Sequence, residues 1–200
     1  MKNPSQKSVG RPKKTAGELS TKDKILFLAA ELFLNRGYTN VTMDDVAKYC
    51  DITRATIYYY YKTKNDLFTE AMVQLMIRIK MQIIHILSTD EPLRFRLLKL
   101  ANAHLKATVN MDINTFMKEA RISLSSEHLK RMKLSEDEMY SVLEDALQTE
   151  MNKGNIPEGN ARLQSVTFVA LLTAGKNLDS SKDLDDLVNE IIDLFWSGIS

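Results

Sequence analysis

The sequence predicts an all-α protein of about nine helices, and three observations support this fold class. Helix breakers are scarce, since the 200 residues include only seven glycines and four prolines. Apolar residues recur at helical spacing over long stretches, most clearly in residues 64–87. No segment shows the sustained alternation of apolar and polar residues that is typical of a half-buried strand. The hydrophobic fraction of 44% is sufficient for a folded core.

Three short helices are predicted near the amino terminus. Residues 20–21 offer a hydroxyl cap for the first helix, and Gly37 ends it because glycine tolerates the left-handed cap conformation. Thr42 begins the second helix, with Asp45 in the place of the usual Glu of a capping box. Thr53 begins the third helix, since its hydroxyl can accept from the free amides of the first turn.

Six further helices are predicted in the remainder of the chain, where apolar residues keep the helical period. A proline suits the first turn of the fifth helix, and a good capping box from Ser135 to Glu138 suits the start of the seventh. The predicted helices cover about 64–87, a segment beginning at Pro92, 114–125, Ser135 to Gly154, Asn160 to Gly175, and a last segment capped by Ser180 or Ser181.

The charge of the chain is divided unevenly along its length. Residues 1–68 carry a net charge of +5 and the remainder carries −4, although the whole chain is only +1. A basic amino-terminal segment followed by an acidic remainder suggests that only the amino-terminal segment binds a polyanion. Residues 1–20 lack any hydrophobic period and are predicted to form a disordered basic arm. Its segment around Arg11 is similar to a minor-groove AT hook, and a solubilising tail is an equal alternative.

Several functional classes find no support in the sequence. The single cysteine, Cys50, cannot form an internal disulfide, and no apolar stretch reaches the ~20 residues of a membrane span. A cytoplasmic protein without a membrane partner is therefore expected. The three histidines, His85, His104 and His128, lack metal-ligand spacing. No glycine-rich phosphate loop or nucleophile–base motif is present, so neither an enzyme nor a cofactor is predicted.

The second and third predicted helices, with the helix before them, describe a helix-turn-helix unit. In such a unit the second of the two short helices enters the major groove of DNA, and its first residues meet the base edges. Here that helix follows Thr53 and carries Ile57 as its apolar anchor. Tyrosines occupy all of residues 58–61, and they cannot all be buried because consecutive helical positions lie about 100° apart. At least two should face solvent or a partner, with Tyr61 the expected buried member.

The stretch from Ile25 to Leu67 carries a spaced set of residues without gaps over about 45 positions. These are Ala29-Ala30, Leu32-Phe33, Gly37, Thr42, Val46-Ala47, Ile52-Thr53, Thr56-Ile57-Tyr58, Lys64 and Leu67. With this set the stretch resembles the TetR-like (tetracycline-repressor-like) transcriptional regulators. The resemblance implies an Ω-shaped dimer of nine or ten helices, with a reading head in the first three helices and the start of the fourth. It further implies an effector pocket enclosed by the fourth to seventh helices and a dimer bundle formed by the last two.

The resemblance also implies which residues contact DNA. The third helix would meet bases with its first residues and phosphates or thymine methyl groups with its tyrosines, while the starts of the second and fourth helices would meet phosphates. Asp51 departs from the common pattern, which has glycine in the turn, and so does Ala55. Asp51 is expected to keep the turn at some cost. The implied contacts are Thr42, Met43, Thr53, Arg54, Ala55, Thr56, Tyr58, Tyr59, Tyr60 and Lys64.

The body of the chain is predicted to dimerise and to sense a small molecule. The eighth helix is apolar nearly all round, which favours a dimer bundle with the ninth, although an ordinary monomer core is an alternative. The expected interface residues are Val169, Leu172, Ile191 and Phe195. An apolar effector would suit a pocket rich in methionine and aromatic residues, although these side chains are also typical of core. The candidate lining is His104, Phe116, Met117, Arg121, Met139, Tyr140 and Leu143.

The sequence thus predicts a DNA-binding transcriptional regulator, a ligand-responsive repressor that binds a palindromic operator as a homodimer. The predicted domains are the arm (1–20), the helix-turn-helix domain (21–66) and an effector-binding and dimerisation domain (67–200). An architectural protein that binds A·T-rich DNA is an alternative, and a small helical enzyme is a weaker one.

Overall fold

The computed structural model describes residues 19–108, 113–176 and 183–199, in which every regular element is a helix. This confirms the all-α prediction, and the basic arm with Arg11 and the predicted cap at 180–181 lie outside the described residues. The helices are α1 (Thr21–Arg36), α2 (Met43–Tyr49), α3 (Arg54–Tyr60), α4 (Lys64–Leu87), α5 (Leu93–Thr108), α6 (Ile113–Ser123), α7 (Ser126–Asn152), α8 (Ala161–Lys176) and α9 (Leu184–Ile199).

Local capping explains most of these boundaries. Ser20 begins α1 by accepting a hydrogen bond from the Asp23 amide at 3.1 Å. Gly37 ends α1 with φ of 80°, in the region that favours glycine. Thr63 begins α4 by accepting from the Asp66 amide at 3.1 Å. The predictions for the starts of α1, α2, α3 and α4 are therefore confirmed.

The predicted start of α7 at Ser135 is wrong. The helix begins nine residues earlier, at Ser126, and Ser135 is a buried residue in its interior. The cap is Ser125, whose hydroxyl accepts from the His128 amide at 3.3 Å while its own amide donates to the His128 ring at 3.3 Å. A histidine thus completes this capping box where glutamate is usual, so the usual sequence pattern of a capping box does not reveal it.

The helices enclose two separate hydrophobic cores. The head-side core is formed by α1, α2, α3, the first turns of α4 and parts of α6 and α7, and its centre includes Ile25, Phe33, Val46, Ile57, Leu67 and Phe68. The body core is formed by α5, α7, α8, α9 and the end of α4, and its centre includes Leu97, Leu105, Leu147, Phe168, Leu172 and Ile192. Helices α4 and α7 therefore each enter the head-side core at one end and the body core at the other.

Helices α4 and α7 lie side by side and run in the same direction. A hydrogen bond joins Asp66 and His128 at 3.2 Å near one end, and an ion pair joins Lys80 to Glu138 at 3.0 Å further along. Because both residue numbers increase together, the two helices are parallel. Their carboxyl ends consequently lie at the same end of the body.

Three of the four residues predicted for a dimer interface are instead internal. Leu172, Ile191 and Phe195 are buried within the single chain, where the Phe195 ring packs edge-on against Phe168 with centroids 5.1 Å apart. The prediction for these three is wrong because the apolar faces that carry them pack against the chain's own helices. Val169 is partly buried against the same core.

The body core contains a buried ion pair between α5 and α7. Arg96 Nη2 lies 3.0 Å from Glu150 Oε1, and both residues are at most 8% exposed. Arg96 also donates to the Leu87 carbonyl at 2.6 Å, at the end of α4. Burial alone raises the pKa of Glu150, but hydrogen bonds from Asn155, Lys153 and Arg96 outweigh it and lower the pKa to about 2.

Replacing Glu150 with glutamine should destabilise the protein, because it leaves the Arg96 charge buried without an ionised partner. We expect a loss of about 3 kcal/mol of unfolding free energy at neutral pH, measured by urea denaturation. The folded pKa of about 2 lies below the ordinary 4.5, so the stabilisation is complete above the ordinary value and is lost as the pH falls toward the folded value.

The difference between the wild type and Glu150→Gln should therefore narrow as the pH is lowered from about 5 to about 3. Glu127→Gln is a matched control, because Glu127 is exposed on the same helix. If the difference in unfolding free energy between the wild type and Glu150→Gln stayed constant over this pH range, the result would contradict the lowered pKa of Glu150.

Candidate nucleic-acid interface

Helices α2 and α3 are joined by a tight turn of residues 50–53. Asp51 adopts a left-handed conformation with φ of 54°, and it is the only residue other than glycine with positive φ among those that the structure describes. The turn is closed by hydrogen bonds from the Asp51 amide to Lys48 at 3.1 Å and from the Ile52 amide to Ala47 at 3.0 Å. The expectation that Asp51 keeps the turn is confirmed, since aspartate visits this region more readily than most residues.

Capping hydrogen bonds fix the first turns of both helices. Thr42 Oγ1 accepts from the Asp45 amide at 3.1 Å, and the Asp45 carboxylate accepts from the Thr42 amide at 2.9 Å. Thr53 Oγ1 accepts from the Thr56 amide at 3.2 Å and lies 2.8 Å from Thr56 Oγ1. The hydroxyl groups of Thr42, Thr53 and Thr56 therefore make contacts that hold the first turns of α2 and α3.

The four consecutive tyrosines divide into one anchor and three exposed rings. Ile57 is fully buried and Tyr61 is only 6% exposed, so α3 is held to the head-side core along this side. Tyr59 is 82% exposed, and Tyr58 and Tyr60 are about two-fifths exposed. This confirms the prediction that Tyr61 is the buried member. The resulting exposed face carries aromatic rings with hydroxyl groups.

Arg54 stands at the first turn of α3 with an exposed guanidinium group. Its Nη1 lies 3.1 Å from the Asp44 carboxylate on α2, and its Cζ lies 5.4 Å from the centre of the Tyr58 ring. An exposed ion pair contributes at most about 1 kcal/mol, so the pair orients the side chain more than it stabilises the fold. Asp44 was not singled out from the sequence, because its partner is ten residues away across the turn.

Lys64 begins α4 and packs against the loop that follows α1. Its ammonium lies 4.2 Å from the centre of the Tyr38 ring and 3.4 Å from the Thr39 carbonyl oxygen. Partial burial lowers the pKa of Lys64 below its ordinary value. The Tyr38 ring thus holds the lysine stem at the start of α4, and no sequence pattern pointed to Tyr38.

Of the residues expected to contact DNA, the structure corrects one and does not describe another. The Met43 side chain is buried in the head-side core, so only its backbone amide is available to a phosphate. Arg11 lies outside the described residues. Thr42, Thr53, Arg54 and Ala55 are exposed. The structure therefore brings the remaining implied contacts to one part of the molecule, the head, which we define as residues 21–71.

The residues predicted to line an effector pocket lie in several different surroundings. Phe116 and Met117 pack against the head-side core, with the Phe116 ring 5.6 Å from Phe68. Leu143 is buried in the body core, and Arg121 is exposed. The other three predicted residues are half-buried, and burial lowers the pKa of His104 and raises that of Tyr140. The residues in this last group are His104, Met139 and Tyr140.

The structure instead shows a cavity of about 720 Å³ at the carboxyl ends of α4 and α7, and none of the seven predicted residues lines it. Within the described part of the chain, no helix is both long enough and apolar enough to cross a membrane.

Comparison with known proteins places the head in a family. Residues 25–71 match the model of the bacterial regulatory proteins of the tetR family. This head belongs to the tetR family. The match runs from α1 into α4 and includes the whole helix-turn-helix unit.

The HTH-type transcriptional regulator QacR of Staphylococcus aureus is a relative of the tetR-type head. It is 39% identical over 54 residues, which make up 27% of this chain and 29% of QacR. The chain thus matches less than a third of the length of this curated relative.

Solved structures extend the likeness to the whole fold. The transcriptional regulator FadR from Bacillus subtilis, solved in complex with stearoyl-CoA, has a TM-score of 0.70 at 20% identity, over 88% of this chain and 98% of FadR. The reduced form of NemR from Escherichia coli has a TM-score of 0.75 at 15% identity, over 90% of this chain and 98% of NemR. At these identities the likeness establishes the fold alone.

Two substitutions of the buried Tyr61 separate the contribution of its ring to stability from that of its hydroxyl group. The hydroxyl oxygen is buried and has no hydrogen-bond partner among the described residues. Tyr61→Phe should therefore leave the unfolding free energy unchanged or slightly higher, whereas Tyr61→Ala should lower it by roughly 3–5 kcal/mol through loss of the ring.

Urea denaturation of both variants measures this difference. Tyr59→Ala is the control and should stay within about 0.5 kcal/mol of the wild type, because Tyr59 is exposed. Equal losses for Tyr61→Phe and Tyr61→Ala would show that the hydroxyl group has a partner that the structure does not reveal.

Proposed function

We propose that this protein is a transcriptional regulator that binds a specific operator through the exposed face of α3. The observation that carries the proposal is the division of α3 into a buried side and a polar, aromatic side. Ile57 holds one side in the core, while Arg54, Tyr58, Tyr59 and Tyr60 project from the others. An arginine at the first turn of such a helix can donate two hydrogen bonds to a guanine edge.

The remaining exposed groups suit the DNA backbone. Phenol hydroxyl groups donate to phosphate oxygens, and their rings can contact thymine methyl groups. Lys64 stands at the start of α4, where its ammonium can meet a phosphate as the resemblance implied. Its contact with the Tyr38 ring limits its freedom before DNA arrives. Chromosomal DNA as the partner places the protein in the cytoplasm.

We infer that the active form is a homodimer that pairs through the outer face of α8. Leu163, Val166, Ala170 and Ala174 follow one another along this helix at helical spacing, and all four are exposed. Leu194 of α9 is exposed as well. An exposed apolar stripe of this kind favours association, and a two-fold dimer matches a palindromic operator whose half-sites lie about 34 Å apart.

We further propose that a small molecule bound in the body controls operator binding. The support is the large helical body beyond the head and its likeness to FadR, which was solved in complex with stearoyl-CoA. An apolar effector site among α4, α5, α6 and α7 remains a prediction, with the residues named from the sequence as its candidate lining.

A gel-shift or fluorescence-anisotropy assay with the DNA upstream of the gene tests the proposal. A regulator should prefer one palindromic sequence over scrambled DNA. Equal affinity for every A·T-rich duplex would identify an architectural protein, and absence of DNA binding would overturn the proposal altogether.

Substitutions of Arg54 and Lys64 should weaken DNA binding in different ways. Arg54→Ala should weaken operator binding by roughly 1–3 kcal/mol and relax the preference at one base pair per half-site. Lys64→Met, which keeps the stem on Tyr38, should weaken operator and scrambled DNA about equally. It should also lower the salt slope by about one unit per subunit.

Salt titrations of both variants on both DNAs measure these effects. Arg54→Lys is the matched control for charge, because it keeps the cation but lacks the rigid fork of donors. If Arg54→Ala weakens binding to operator and to scrambled DNA equally, Arg54 is a backbone contact and base reading shifts to Ala55 and Thr56.

The dimer surface can be tested in the same way. Val166→Glu places a charge on the outer face of α8 and should lower the mass measured by light scattering from that of a dimer to that of a monomer. It should also weaken operator binding, since each monomer holds only one half-site. Leu134→Glu is the control, because Leu134 is exposed on α7 outside this face. A Val166→Glu variant that remains dimeric would exclude this surface.

A further inference from the structure

The cavity at the carboxyl ends of α4 and α7 has the dimensions of a ligand site. We call it the distal cavity, and its volume is about 720 Å³. Pockets that bind small molecules usually measure about 300–1,000 Å³. Its walls come from the turn between α4 and α5, the last turns of α7, the loop before α8, and α9.

One side of the distal cavity is built on the buried ion pair between Arg96 and Glu150. Both residues line the cavity, and each is more than nine-tenths buried. Arg96 holds the Leu87 carbonyl at the end of α4, and Glu150 accepts from Asn155 Nδ2 at 2.7 Å in the following loop. These bonds tie together three of the segments that form the wall, so the shape of the cavity does not depend on an occupant.

The charges that line the cavity do not balance. Its lining includes four acidic and two basic residues: Asp90, Glu91, Asp145, Glu150, Arg96 and Lys153. Glu150 is shared by both cations, and Glu91 pairs with Lys99, which lies outside the lining. Asp90 and Asp145 make no ion pair with any residue that the structure describes. With Lys99 counted, the four carboxylates meet three cations, so one net negative charge remains, at the exposed Asp90 and Asp145.

Trp196 of α9 gives the cavity an aromatic wall. The side chain is partly buried against the body core and lines the cavity together with the aliphatic residues Leu87, Leu93 and Ile156. The indole face is the best aromatic partner for a cation. Negative charge, an indole ring and aliphatic walls together select a ligand that is both cationic and apolar.

We propose that the distal cavity is a binding site for a small organic cation with an apolar body, whose charge is held by Asp145 and Asp90 against Trp196. The site is separate from the effector site predicted among α4 to α7, and it shares no residue with that prediction. Binding at this site does not depend on the proposed DNA-binding function and is measured without DNA.

The chain carries a built-in reporter for this site, because Trp196 is its only tryptophan. The probe is tetraphenylphosphonium, and tetraphenylborate is its matched control, since the two ions share one shape and differ in the sign of the charge. Calorimetry gives the affinity of the full chain for each ion, and tryptophan fluorescence shows whether the ion lies against Trp196. We expect saturable binding of the phosphonium with a change in fluorescence, at least ten times tighter than binding of the borate.

Two variants locate the cation within the site. Asp145→Asn should weaken binding of the phosphonium at least fivefold and leave the fold intact, because its carboxylate makes no ion pair in the described structure. Asp186→Asn is the control, since Asp186 is exposed on α9 and does not line the cavity, and its affinity should equal that of the wild type.

Several results would overturn the proposal. These are equal or tighter binding of the borate, phosphonium binding that does not saturate, and binding that leaves the fluorescence of Trp196 unchanged. An Asp90→Asn, Asp145→Asn double variant that keeps the wild-type affinity for the phosphonium would overturn it as well.

Discussion

The continuity of α4 is the constraint on which the rest of the structure depends. Its first turns place Leu67, Phe68 and Met72 in the head-side core, and Leu87 at its end lies in the body core. A helix of 24 residues is about 36 Å long, so it carries a fixed orientation from one core to the other. At its start, the Lys64 ammonium lies over the Tyr38 ring. At its end, the Leu87 carbonyl accepts a hydrogen bond from Arg96.

The head shows how a short helix can be both firmly held and widely exposed. Seven residues form too few turns for α3 to be stable alone, so its stability comes from packing. Ile57 and Tyr61 lie on one side and supply that packing, while the Thr53 cap satisfies the amide of Thr56. Arg54, Tyr58, Tyr59 and Tyr60 lie away from this side, which is why they can face outward.

Local features of the fold could be predicted from the sequence, whereas features that depend on distant partners could not. The caps at Ser20, Thr42 and Thr53 and the turn at Asp51 follow from neighbouring residues, and all four were predicted. The helical period showed that Leu172 lies on an apolar face, but not which helix covers that face. Likewise, the Arg54–Asp44 pair and the distal cavity join residues that no local pattern relates. The likeness to the tetR family supplied the contacts proposed for the head, but the body diverges too far for a pocket to be carried over residue by residue.

Helix α6 links the head to the body by polar contacts that complement the shared core. The Ser123 carbonyl accepts from Asn65 Nδ2 at 2.7 Å, and Glu119 accepts from the Thr39 hydroxyl at 3.3 Å. Asn65 also accepts from the Tyr38 hydroxyl, and the Tyr38 ring supports Lys64. The groups that position Lys64 therefore end on α6, which lies outside residues 21–71 and packs against the head-side core. Because packed cores resist gradual deformation, a displacement of α6 would have to break these bonds or move the start of α4 with it.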